Sequence, residues 1–229
     1  MNPKGLNGNQ LKLIALVTMT IDHMGMMLLP QYPILRIIGR LAYPIFAYMI
    51  AEGCFYTRSM GRYLGTVAVW AGICQGVYLF AMGSLYQCIL VTFMLSIGLV
   101  LLIKNAREKK NPVAWGLVVA ALVAVIFICE VLPLLLSGTD FSVDYGSVGV
   151  LMPVLIYLGK DKKQKLLLAA AGLCCLALSV GWVQWFSLPA LVLLALYNGQ
   201  RGKANLKYLF YIYFPAHLLA LYVFGLLVL

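Results

Sequence analysis

Long apolar runs recur along the chain, each closed by a short polar, Gly-containing or Pro-containing stretch. The pattern predicts nine helical spans at 11–29, 33–57, 62–82, 86–103, 113–136, 145–159, 165–181, 183–197 and 207–228. The breaks between them carry turn chemistry: Pro30 and Pro33, Gly83–Ser84, Asn111–Pro112, Ser137 to Asp140, and Asn198–Gly199. A run of about 20 apolar residues is what a helix needs to cross a bilayer. The seventh and eighth runs fall short of that, about 25 Å or less at 1.5 Å per residue. They are joined by a tight turn at Gly181 to Gln184 and are expected to tilt or to be partly re-entrant.

Composition makes the same reading firmer. The 229 residues are 63% hydrophobic and 10% charged, against about 25% charged for a soluble domain. No stretch between the runs is long enough to fold as a soluble domain. The expected fold is therefore all-α, a polytopic transmembrane bundle forming a single integral-membrane domain over 1–229 and in contact with membrane lipids.

The net charge of +10 could suggest a nucleic-acid partner, but its distribution argues against one. The basic residues form short clusters between spans, with no basic face interleaved with stacking aromatics. Lys4 and Lys12 precede span one, Arg58 and Arg62 follow span two, and Lys104, Arg107, Lys109 and Lys110 follow span four. Lys160, Lys162, Lys163 and Lys165 follow span six, and Arg201, Lys203 and Lys207 follow span eight. The alternate loops lack Lys and Arg. By the positive-inside rule the N-terminus is cytoplasmic and the C-terminus outside. The six cysteines all lie in or beside apolar runs without CxxC spacing, so they read as small buried hydrophobes and not as a metal or disulfide framework. No cleavage site follows the first run, which is expected to stay as a helix.

Two arginines break the alternation. Arg36 and Arg40 sit near the outer end of span two, one helical turn apart and on one face. With Asp22, His23 and Glu52 they put five ionisable side chains into one hairpin. Each costs roughly 2.5–3.5 kcal/mol at bilayer depth even on lenient scales, so a polar cavity is expected. The outer half also receives Glu130 of span five and Asp144 at the start of span six; His217 falls near the middle of span nine, and Glu52 lies at the inner end.

These residues sit in segments that resemble a known family. LKLIALVTMTIDHMG, LRIIGRLAYPIFAYMIAEGCFYTRS, CILVTFMLSIG, DYGSVGVL and YLFYIYFPAHLLALY, in that order, are similar to the TraX family. Its named member acetylates the amino terminus of conjugative pilin. A first helix with a polar centre and a second carrying Pro-x-Phe is also distantly similar to acyltransferase family 3 and to heparan-alpha-glucosaminide N-acetyltransferase. The resemblance implies a multi-pass enzyme of a bacterial cytoplasmic (inner) membrane, taking an acyl group from acetyl-CoA or another acyl-CoA to an extracytoplasmic acceptor, a peptide amine or a glycan. No metal is implied, and an oligomer is compatible.

Acyl transfer needs a base beside the thioester and a positive or donor-rich site for developing charge. His23 is the first candidate for the base and His217 the second, since a neutral imidazole serves near pH 7 without strong tuning. Asp22 joins the histidines as a candidate of the catalytic cluster; it points about 100° from His23 on a helix and is expected to neutralise one of Arg36 and Arg40, both candidates for binding the acyl-CoA donor, leaving the other for an anionic group. Arg58 and Arg62, with Glu52, are candidates for the CoA phosphates, although ordinary inside-positive charge explains them as well. Asp144, Tyr211 and Glu130 are candidates for acceptor binding; for Asp144, helix capping is an equal alternative, and Glu130 needs a partner from another helix. Two other classes stay open: a small proton-coupled transporter, since intramembrane Asp, His and Arg also build proton relays, and a non-enzymatic component of a pilus or secretion assembly. No internal repeat favours the transporter.

Overall fold

A computed structural model describes residues 5–204 and 206–228, with the side chain of Lys207 left aside. Lys4 of the topology pattern lies outside the described residues, and so does the Lys207 side chain. The described chain is helical, and its only β-type pairings are two isolated bridges, Leu6 with Tyr197 and Gln87 with Val143. Six helices are long and apolar enough to cross a membrane: Pro33–Tyr56, Met60–Ala81, Ile89–Lys109, Pro112–Leu135, Lys162–Val180 and Tyr208–Val228. Gly146–Leu158 and Trp182–Ala195 are apolar but shorter. The helix α1, Gly8–Met27, has the length but carries Lys12, Asp22 and His23 and is not among the six.

The chain forms two compact units. One contains residues up to Met49 and from Gly159 onward; the other is Ile50–Leu158.

In the first unit α1 starts with a reciprocal cap, Asn7 accepting from the Gln10 amide and donating its own amide to the Gln10 side chain. The next free amides, Gly8 and Asn9, donate to the carbonyls of Gln200 and Arg201. This stitches the start of α1 to the segment that leads into α11, Lys207–Val228. Against α1 packs α2, Pro33–Gly39. Pro33 sits at its start, where a missing N–H costs nothing. The span then turns at Arg40 and Leu41 before α3, Ala42–Tyr56. Pro44 explains the break: it has no N–H to offer the Arg40 carbonyl, the i−4 acceptor of a continuous helix. Farther on, α9 (Lys162–Val180) ends at Gly181, whose φ of +127° and ψ of 174° are open essentially to glycine alone. The reversal starts a 3-10 helix, Trp182–Ser187, followed by α10, Ala190–Ala195.

In the second unit α5 (Ile89–Lys109) is the central helix, packed by α4 (Met60–Gly76), α6 (Pro112–Ile126) and α8 (Gly146–Leu158). A π turn, Phe127–Val131, follows α6 and leads into the short α7, Leu132–Leu135. Pro133 again removes a donor one turn ahead and displaces the ladder by one residue. Two loops are tied together here. Asp140 accepts from the Ser84 hydroxyl at 2.5 Å and the Leu85 amide at 2.9 Å. Those bonds hold its carboxyl below the ordinary carboxylate value.

Candidate functional site

The ionisable candidates divide between the units. Asp22, His23, Arg36, Arg40 and His217 all fall in the first, and Glu52, Arg58, Arg62, Glu130 and Asp144 in the second.

In the first unit, α1 and α2 lie close because two glycines face the crossing. A Cβ on Gly39 would collide with the Asp22 side chain, and one on Gly25 would stand 2.7 Å from Leu35 Cβ. That approach lets Asp22 serve both arginines, where one had been expected. Arg36 Nη1 donates to Oδ2 at 2.6 Å and Arg40 Nη2 to Oδ1 at 2.5 Å. The reason is register. Arg40 lies one turn beyond Arg36 on the same face, and the carboxylate stands between them with an oxygen toward each.

The two guanidiniums are otherwise unequal. Arg40 is buried at 8% exposure, donates from Nε to the Arg36 backbone carbonyl at 3.2 Å and from Nη1 to the Gln184 side-chain Oε1 at 3.4 Å. Arg36 is one-third exposed at its side chain. Its Nη1 also reaches the Asp22 backbone carbonyl at 3.4 Å, and its Nε and Nη2 have no partner among the described residues. Gln184 is 1% exposed, and its Nε2 is a buried donor without a partner among the described residues. Such an orphan costs about 1–3 kcal/mol.

The histidines meet. His217 Nε2 and His23 Nδ1 are 3.0 Å apart, and His217 Nδ1 is 2.9 Å from the Tyr213 carbonyl. A carbonyl only accepts, so Nδ1 of His217 carries the proton and its Nε2 carries the lone pair. In a neutral pair His23 therefore donates from Nδ1, which leaves its own lone pair on Nε2. The His217 ring is clamped between aromatics, stacked on Tyr213 at 5.2 Å and edge-on to Phe214 at 5.5 Å. Tyr213 is fixed in turn. The Thr20 hydroxyl spends its proton on the Leu16 carbonyl at 2.9 Å, so the Tyr213 hydroxyl, 2.6 Å away, donates to Thr20.

Gln184, Tyr213 and Thr20 were not singled out from the sequence. A lone amide in the apolar stretch around Trp182–Ser187 was the available signal for Gln184. Tyr211, the tyrosine preferred on sequence, is half-buried on the same helix, but it is Tyr213 whose carbonyl and ring hold His217.

In the second unit Glu52 is buried at 7% exposure while Arg58 and Arg62 are exposed. Glu130 finds its interhelical partner in Ser147, accepting from the amide at 2.9 Å and the hydroxyl at 2.6 Å. Glu130 thus accepts a first-turn amide of α8. Asp144 accepts from the Tyr86 hydroxyl at 2.6 Å. Among the described residues no three His, Cys, Asp or Glu side chains come together as a metal site would require.

A multi-pass helical membrane protein, with an ionic cluster and an imidazole pair built into one helical unit, is the class these features define. Within that class the chain belongs to the TraX family, whose model, described as TraX protein, matches residues 7–225. It is similar to the probable fimbrial assembly protein FimC, serogroup H1, of Dichelobacter nodosus, 28% identical over 238 residues that cover 91% of each chain. A shorter stretch of 52 residues is 44% identical to an uncharacterized protein of Rickettsia prowazekii (strain Madrid E), covering 23% of this chain and 21% of that one. No solved structure matches.

Proposed function

We propose that the chain is a membrane-integral acyltransferase of a bacterial inner membrane, moving an acetyl or related acyl group from acyl-CoA to an acceptor amine or hydroxyl. The observation that carries this reading is the chain Tyr213 carbonyl, His217, His23, which fixes the lone pair of His23 on Nε2. A base held in one tautomer by a second, immobile ring is what general-base catalysis requires. In this reading His23 Nε2 takes the proton from the acceptor as its nitrogen or oxygen attacks the thioester carbonyl. The new acyl bond forms, the C–S bond breaks, and the CoA thiolate leaves with the proton from His23. His217 positions His23 and touches neither substrate.

The test is acetyl transfer by the full chain in proteoliposomes loaded with acetyl-CoA. His23→Ala is expected to lower the rate about 10²–10⁴-fold with protein stability retained. Full transfer by that variant would refute the assignment. The second reading, a component of a pilus assembly without its own chemistry, draws on the likeness to the probable fimbrial assembly protein of Dichelobacter nodosus. It predicts no acetyl transfer by the wild-type chain and no stabilisation by acetyl-CoA.

A further inference from the structure

The polar cluster in the first unit has unmet demands, and all have one sign. Asp22 divides one negative charge between two guanidiniums, so Arg36 is only partly neutralised by it. The neutral histidine pair does not make up the difference. Arg36 keeps Nε and Nη2 without a partner among the described residues, and those two groups form the edge that grips an oxyanion in bidentate fashion. Independently, on the Arg40 side, the Gln184 amide is buried with Nε2 still a donor lacking an acceptor. The cluster is short of negative charge and short of acceptor oxygens together. Lipid tails supply neither.

We infer that the Nε/Nη2 edge of Arg36 is a binding site for a singly charged oxyanion, a carboxylate or a phosphodiester. We further infer that this anion belongs to the acceptor of the transfer. The second statement rests on the acyltransferase reading, and the first does not. Asp22 and His23 are neighbours on α1, so an acceptor gripped at Arg36 brings its nucleophile beside the base. Asp22 holds Arg36 in place by its other edge, and Arg40 is spent on Asp22, the Arg36 carbonyl and Gln184. An acceptor with no anionic group would leave the Nε/Nη2 edge of Arg36 unfilled.

The experiment measures thermal stabilisation of the full chain in phosphatidylcholine nanodiscs, without acetyl-CoA, on titration with inorganic phosphate or acetate. A parallel series uses nanodiscs containing phosphatidylglycerol. Stabilisation by the soluble ions indicates an anion that arrives from water; stabilisation by phosphatidylglycerol alone indicates a lipid headgroup, and either supports the site. Arg36→Gln is expected to abolish the effect. Arg36→Lys keeps the charge facing Asp22, loses the two-pronged edge, and is expected to weaken the effect about tenfold; it serves as the readout if the Gln variant does not fold. No stabilisation by any of the three probes overturns the site, and so does undiminished stabilisation of the Lys variant. Arg36-dependent stabilisation without acetyl transfer leaves the site standing and removes the acyltransferase reading. Equal acetylation of matched charged and uncharged acceptors removes the assignment of the anion to the acceptor.

Discussion

Each ring of the histidine pair has a distinct task, and the tasks predict a spectroscopic signature. Both His23 and His217 should carry their proton on Nδ1, the minor neutral tautomer in water. Nitrogen-15 NMR of the labelled chain is expected to show two unprotonated Nε2 atoms. His217→Ala takes the acceptor from His23 Nδ1 and should free that ring, lowering transfer less than His23→Ala does while His23 loses its tautomer preference. A doubly protonated ring at neutral pH would contradict the arrangement. At this scale the sequence exposed the charged half of the site. Asp22, His23, Arg36, Arg40 and His217 stand out because ionisable groups are costly in apolar spans. Gln184, Tyr213 and Thr20 do not stand out, because uncharged polar side chains are common in helices. The meaning of Gln184 depends on an arginine 144 positions away.

The elements place those side chains through close backbone approach. Gly39→Ala puts a methyl group against Asp22, and overpacking of this kind costs about 1–3 kcal/mol. The expected result is a lowered Tm together with reduced transfer, since α2 must move and Arg36 and Arg40 with it. An unchanged Tm would show that the crossing is looser than described. On the second unit, Asp140 ties two loops, and its carboxyl lies below the ordinary value of about 4. The tie is therefore complete above that ordinary value and is lost as the pH falls through the lowered one. Hydrogen exchange at the Leu85 amide should keep its protection down to about pH 4 and lose it below. That the chain is built of apolar helices was legible from periodicity and breakers; the count of nine crossings was not, since six helices among the described residues are long and apolar enough. The turn at Arg40 and the π turn before Pro133 were not read, although Pro44 and Pro133 are their physical cause. An apolar run looks the same whether or not its hydrogen-bond ladder skips a step.

Across the whole molecule, the first unit is assembled from the two ends of the chain, with residues 50–158 inserted between them. This was hidden in the sequence, where apolar runs follow one another without a mark of partnership. It also sets an order of events during synthesis. The ion pairs join residues 14 and 18 positions apart, so they can close as soon as the first hairpin enters the bilayer, and two of its charges are masked early. The imidazole pair spans 194 positions and cannot exist until the last helix has left the ribosome. A chain stopped after Leu206 is expected to resist carbonate extraction from membranes like the full-length form, yet to transfer no acetyl group. A ribosome that releases its product too soon would thus leave a membrane-resident chain with its ion pairs made and its base unheld by a second ring.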